Sequence, residues 1–229
     1  MKILNSKSLL ATIDNFNEAH FNGDDWRPDQ DNIVEWISGR LGKQGGYRGS
    51  FGMTPSDWNR DFRLFTGERI TTRAGRSHII AEEANRVLKV IESDTGSEIS
   101  ALKESESRLG ELIFHDPRIN AVKTGHFCCA TCSVAMWRFM SKGGFGKHAS
   151  LVRKGIDRLK EVSTPGGWGR YPFYYTLLAL HEMEVPAARA EISKQEESCL
   201  RRLKILEKKR DKYSRRKRDL ILRIVGDSV

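Results

Sequence analysis

The stretch Gly166-Gly167-Trp168-Gly169, with Pro172-Phe173-Tyr174-Tyr175-Thr176-Leu177-Leu178-Ala179-Leu180 close behind it, sets a glycine corner directly before an apolar run of helical length. A second corner, Gly143-Gly144-Phe145-Gly146, stands 23 residues upstream, and between the two Leu151, Val152, Ile156, Leu159 and Val162 fall at helical spacing. A third, Gly45-Gly46-Tyr47, follows a candidate helix from Ile33 to Leu41. Glycine pairs suit such corners because the backbone takes positive φ without a Cβ clash, and the aromatic plugs the junction between two helices. The order corner, helix, corner, helix predicts degenerate repeats of a helical hairpin.

Outward from these corners the chain reads as helix throughout. Candidates span Ser6 to His20, Asn32 to Leu41, Pro55 to Phe65, Ser77 to Ser93, Ser97 to His115, Cys128 to Ser141, His148 to Val162 and Pro172 to Met183. Thr54, Pro55 and Asp57 supply an N-cap, a proline at N1 and an acid at N3. Thr95-Gly96 and Asp116-Pro117 mark turns, and only Glu68 to Thr72 offers a short strand. The fold class is all-α.

With 229 residues, 38% of them apolar and 30% charged, the chain holds one sizeable core or two small ones. No apolar run approaches the roughly 18–20 residues that cross a bilayer. The N-terminal segment is amphipathic, interrupted by Asp14 and Glu18, and lacks the continuous apolar stretch of a signal peptide. Three of the four cysteines crowd into Cys128, Cys129 and Cys132 while Cys199 stands alone, which is no disulfide framework. These features predict a cytoplasmic protein.

The formal charge of +9 belongs to one segment: 201–218 carries eleven of the 39 Lys/Arg and two of the 30 Asp/Glu, leaving the rest of the chain balanced. Pro186 to Val225 reads as a single long basic C-terminal helix, rich in Glu, Lys, Arg and Leu with no internal Gly or Pro. Ile192, Cys199, Leu206, Tyr213 and Leu220 recur every seven residues, but Arg189, Glu196, Arg210 and Lys217 occupy the companion seam position. Such a narrow stripe packs on the body of the protein or on a second copy. The predicted division is a helical domain over 1–184 and a basic helix over 185–229.

Lys154-Gly155-Ile156-Asp157-Arg158-Leu159, the Gly166 corner and Phe173 to Leu180 together resemble the repeat of terpenoid cyclases and protein prenyltransferase β subunits, most clearly from about Phe127 to Met183 and more faintly from Ile33 to Gly52. The resemblance implies a partial or small α/α toroid, with about eight helices ahead of the tail, around an aromatic-lined hollow that holds an isoprenoid or another apolar molecule. Trp137, Phe145, Trp168, Phe173, Tyr174 and Tyr175 are the expected lining. The family's chemistry transfers poorly. There is no Asp-x-Asp-Asp acid, and Asp24-Asp25 with Asp29-Gln30-Asp31 read as a solvated loop. Of the prenyltransferase zinc ligands, Tyr175 stands at the histidine position and no Asp lies two residues before any cysteine. Catalysis is left open.

Three polar constellations remain. His126, Cys128, Cys129 and Cys132 form H-x-C-C-x-x-C, a zinc-capable set, yet structural zinc sites draw ligands as two separated pairs, so close helix packing is the expected role and zinc the alternative. Arg73 and Arg76, at the start of a helix, form a candidate anion site. His78 and Glu82 share a helix face at i, i+4 and read as a surface pair or an oriented general base. Two functional classes follow: a ligand-binding helical body, or an interaction module whose basic segment 201–218 meets nucleic acid, an acidic protein or anionic lipid, with Tyr213 alone there to stack on a base.

Overall fold

Ser8 opens the first helix by accepting a hydrogen bond from the Ala11 N–H, and Gly23, at φ 75°, closes it; between them runs α1, Leu9–Asn22. This is a computed structural model, and it describes residues 2–116, 119, 121–146 and 149–226. His148 and Pro117, expected at a helix start and a turn, lie outside the described residues. The remaining helices are α2 Gln30–Ser38, α3 Pro55–Trp58, α4 Arg73–Thr95, α5 Ser100–His115, α6 Ala121–Thr124, α7 Ala130–Ser141, α8 Ala149–Glu161, α9 Phe173–Glu182, α10 Pro186–Ser193, α11 Glu196–Leu206 and α12 Lys212–Gly226. Among the described residues there is no strand and no helix long and apolar enough to cross a membrane. The protein is all-α.

The order expected around the glycine corners is present: α8 lies between the Gly143 and Gly166 corners and α9 follows the second. Gly143 and Gly167 adopt φ of 95° and 135°, which a side chain rarely tolerates. Trp168 is almost fully buried at its corner. Gly155 serves a different purpose. A Cβ there would lie 2.4 Å from the Trp137 ring, so glycine is what lets α8 approach α7.

Helix α4 is buried nearly all round from His78 to Leu88, as befits a central helix rather than an amphipathic surface one. It packs on α7, its main neighbour, and on α1, α2 and α5; α7 in turn carries α8 and α9, and α10 bridges those two.

Three sequence expectations are corrected. The helix from Pro55 to Phe65 stops at Trp58, whose carbonyl accepts from Arg76 at 2.9 Å; the Asp57 carboxylate both closes its capping box and accepts from the Ser8 hydroxyl and the Leu9 N–H, joining the starts of α1 and α3. The strand at Glu68 to Thr72 reduces to one isolated bridge, Arg63 with Arg69, because the chain reverses at Gly67 and Thr72 then caps α4. The single C-terminal helix is three. Gln195 kinks the chain by donating to the Thr164 carbonyl at 2.8 Å. After α11 the crowded Lys208-Lys209-Arg210 ends in Asp211, whose carboxylate accepts from the Tyr213 and Ser214 N–H groups. That local cap starts a new helix instead of continuing the old one. Helix α12 packs back on α11, and its Arg216 reaches Asp14 and Glu18 of α1 at 2.7 and 2.8 Å.

The core contains a closed ionic network. Arg138 on α7 donates to Glu83 on α4 at 2.6 Å and to both oxygens of Glu182 on α9 at 2.8 and 2.9 Å. Arg86 donates to Glu182 at 2.8 Å and to Asn17 of α1 at 2.7 Å, while Asn17 donates to Glu83 at 3.1 Å. The Tyr175 hydroxyl donates to Glu83 as well. Two guanidinium groups thus balance two carboxylates at the junction of four helices. Burial pushes the Glu182 carboxyl up, but Arg138 and Arg86 more than offset it and hold the group well below the usual carboxylate range.

Candidate metal centre

Cys129 is the N-cap of α7, in extended conformation, and its sulfur accepts from the Cys132 N–H at 3.5 Å. The loop before it is fixed from two sides. The Ser133 hydroxyl accepts from the Phe127 N–H at 2.9 Å, and the Trp137 indole donates to the Gly125 carbonyl at 2.8 Å. Cys128 and Cys129 consequently face solvent while Cys132, one helical turn on, is buried.

Cys132 meets α4. Its sulfur lies 3.6 Å from Nδ1 of His78, and the ligand atoms of His78, Cys128 and Cys132 all fall within 4.8 Å of one another. A tetrahedral zinc with Zn–S of about 2.3 Å and Zn–N of about 2.0–2.1 Å requires S···N edges of about 3.5–3.6 Å and S···S edges of about 3.8 Å. The observed triangle has that scale. The Tyr47 ring covers His78, centroids 3.7 Å apart, and burial pushes the imidazole below its ordinary 6.5, toward the neutral form that ligates metals.

Glu82 follows one turn after His78. Its side chain is 1% exposed and neither carboxylate oxygen has a hydrogen-bond partner. Burial, then the neighbouring thiols of Cys129 and Cys128, push its carboxyl well above the ordinary 4.5. A buried carboxyl with no donor is costly, and a cation held by the thiolates would supply what it lacks. The pair read from sequence as lying on the surface is therefore interior, because α7 covers this face of α4.

The three thiols differ. The hydrogen bond from the Cys132 thiol pulls Cys129 down to about 5, against burial and with help from the N–H groups of Cys132 and Thr131. The same bond, with burial and the Glu82 charge, pushes Cys132 far up. Burial also raises Cys128.

His126, the fourth member of the sequence motif, turns elsewhere: its Nδ1 lies 3.1 Å from the Ser133 hydroxyl and 3.2 Å from that of Tyr171. It lines a cleft of about 550 Å³ with four cations, Lys123, Lys154, Arg158 and Arg170, and two acids, Asp157 and Glu161, and Arg170 acts electrostatically on both His126 and Cys129. The expected lining aromatics are dispersed through the core. Trp137 stacks on Tyr171, Trp168 stacks on Phe173 and donates to Glu191 at 3.0 Å, and Phe145 packs edge-on against Phe114 and Phe139. Phe173 and Tyr174 lie under Arg202, and Tyr175 belongs to the ionic network. Arg76 donates to the carbonyls of Ile70 and Trp58, and Arg73 lies over the Trp58 ring, so neither is arranged around a common anion.

Sequence reasoning had both halves of the centre, His78 with Glu82 and the cysteine cluster, without joining them. The missing second ligand pair of H-x-C-C-x-x-C was the available signal, and the i, i+4 His-Glu pair was the place to look. Compared with protein-family models, with curated proteins and with solved structures, the chain matches none.

Proposed function

We propose that this chain is a zinc-binding protein in which Cys128, Cys132 and His78 hold the ion and Glu82 completes the set from the buried side. The observation that carries it is the cluster of three ligand atoms within 4.8 Å of one another, with the orphan carboxylate of Glu82 buried one turn after His78 and coupled electrostatically to Cys132. The Cys/Cys/His/carboxylate combination suits zinc among the common divalent ions. Cys128 lies at the surface, so a substrate reaches the centre from that side. Four protein ligands would close the zinc shell as in a structural site, so a position for a water or thiol, whose pKa the ion would lower, opens only where Glu82 gives way. The adjoining cleft with Lys123 and Arg170 favours substrates that carry negative charge. The isoprenoid hollow that the family resemblance implies gains no support from aromatics packed into and against the core.

Native mass spectrometry of protein purified without chelator, or reconstituted with zinc under reducing conditions, should find one zinc per chain. Cys132→Ser and His78→Ala should each abolish it, whereas Cys129→Ser should retain it. A chain that takes up no zinc, or binds it equally after His78→Ala, sinks the proposal.

A second reading concerns the tail, and a specific observation favours it. Several of its cations are engaged internally: Arg216, Arg215 and Lys212 pair with α1, and Arg202 covers Phe173. Arg201 pairs with Glu197, and what remains outward on α11 and the turn after it is Lys204, Lys208, Lys209 and Arg210, with Leu200 and Ile205 exposed at 41% and 61% among them. Exposed aliphatics within a basic face fit an anionic lipid surface better than nucleic acid, which would call for stacking aromatics. Vesicles of phosphatidylcholine with phosphatidylserine should bind the protein. Reversing Lys204, Lys208 and Lys209 to Glu should weaken binding by roughly 100-fold or more, at about 1 kcal/mol per lysine. Equal binding to neutral vesicles would count against this reading.

A further inference from the structure

Cys129 is left over from the ligand set. It stands outside the His78, Cys128, Cys132 triplet, is exposed, and occupies the N-cap of a 12-residue helix with the Cys132 N–H directed at its sulfur at 3.5 Å. The Cys132 thiol donates to it as well, so the two sulfurs are neighbours across one helical turn. Cys132 is 1% exposed, and in the same cluster Glu82 is equally buried and lacks any hydrogen-bond partner. An outer sulfur at a helix N-terminus, exposed and accepting from the Cys132 N–H, over an inner one sealed from solvent is the arrangement of a Cys-x-x-Cys dithiol.

We infer that Cys129 and Cys132 form a peroxide-sensitive dithiol whose oxidation to an intramolecular disulfide withdraws Cys132 from the metal site. The withdrawal of a ligand rests on the zinc reading above; the dithiol itself does not. Burial sets the order of events. Hydrogen peroxide meets the exposed Cys129 sulfur first, an S–O bond forms as the O–O bond breaks, and the departing hydroxide leaves as water with the proton of Cys129 or one from solvent. The sulfur of Cys132 then attacks the sulfenic acid, the S–S bond forms, the S–O bond breaks, and the second hydroxide leaves as water with the proton of Cys132, or with one from solvent where Cys132 was metal-bound thiolate. Two thiols lose two electrons and one peroxide becomes two waters. Cys128, His78 and Glu82 then remain as an incomplete ligand set, and the ion is released.

The test uses the full chain, loaded with zinc and treated with a small excess of hydrogen peroxide. Zinc release is followed with a chromogenic chelator, and the peptide from Thr124 to Arg138 is weighed. The wild type should release its zinc as that peptide loses about 2 Da, and dithiothreitol should reverse both. Cys129→Ser should bind zinc yet release it at least ~10-fold more slowly. Cys128→Ser, with one pair of cysteines left in the peptide, should still lose about 2 Da. Release from Cys129→Ser at the wild-type rate, or a Cys128→Ser peptide that gains oxygen instead of losing hydrogen, overturns the inference. A wild-type chain that takes up no zinc but forms the Cys129–Cys132 disulfide establishes the dithiol and defeats the zinc reading, so the two failures are separable.

Discussion

Arg138→Met should destabilise the protein by about 3–5 kcal/mol, the usual cost of removing one partner from a buried ionic network, measured by urea unfolding at pH 7. Arg138 is 1% exposed and is the only group that donates to both Glu83 and Glu182 among the described residues. Without it, Glu83 keeps donors from Asn17 and Tyr175 but no cation, and Glu182 keeps Arg86. Against a total stability of about 5–15 kcal/mol, the loss is large. Arg138→Lys should recover part of it, since a point charge cannot reproduce the guanidinium fork.

The same network sets part of the acid response. The folded-state pKa of Glu182 is depressed, so the folded protein binds its proton less readily than the unfolded chain. The stabilisation is fully present above the ordinary 4.5 and is lost as pH falls below it toward the folded value. Glu182→Gln should therefore lower stability at neutral pH and flatten its decline on acidification below about 4.5. His20 adds an earlier step: burial, with the Arg86 charge, lowers it from 6.5 to about 4, so its contribution fades between those values. The slope that remains in Glu182→Gln between pH 6.5 and 4.5 should accordingly shrink on adding His20→Phe, the rest belonging to His78 and His126, which burial also holds below 6.5. A loss below about 1 kcal/mol for Arg138→Met would mean that water reaches the network.

How much of this was legible in the letters depends on range. The hairpin order from Gly143 to Leu180 was readable because glycine at a positive φ acts over a few residues and leaves an unmistakable mark. The breaks in the tail were not, because helix propensity and heptad spacing argue for continuity while Asp211 and Gln195 decide locally, one by capping and one by bonding to Thr164. The core network was illegible for a different reason. Glu83 and Arg86 carry no mark in the sequence that separates them from ordinary surface charge. Their partners Arg138 and Glu182 lie on other helices, and each charge is tolerable inside only because the others are there. The candidate metal site falls between these cases: residue types and local spacings were visible on each helix, but joining them required the packing of α4 on α7.

Glu82→Met is expected to move two measurable quantities in opposite directions. In the metal-free protein both carboxylate oxygens are buried without a donor, so an apolar side chain of similar shape removes two unsatisfied acceptors and should raise stability by about 1–2 kcal/mol. In the zinc-loaded protein the same change deletes a ligand. Affinity in a chelator competition should fall by at least about 100-fold, beyond the 10–100-fold typical of an outer-shell carboxylate. Because zinc bound only to the folded state stabilises it in proportion to the logarithm of one plus the ratio of free zinc to Kd, the order of melting temperatures should invert: variant above wild type without metal, wild type above variant at saturating zinc. A carboxylate serving only as an internal hydrogen-bonding or packing element has no means of producing that inversion. Were the metal-free variant less stable than wild type by 2 kcal/mol or so, with zinc affinity unchanged, Glu82 would have to possess an internal partner, and the electrostatic reason for a cation at this site would be gone.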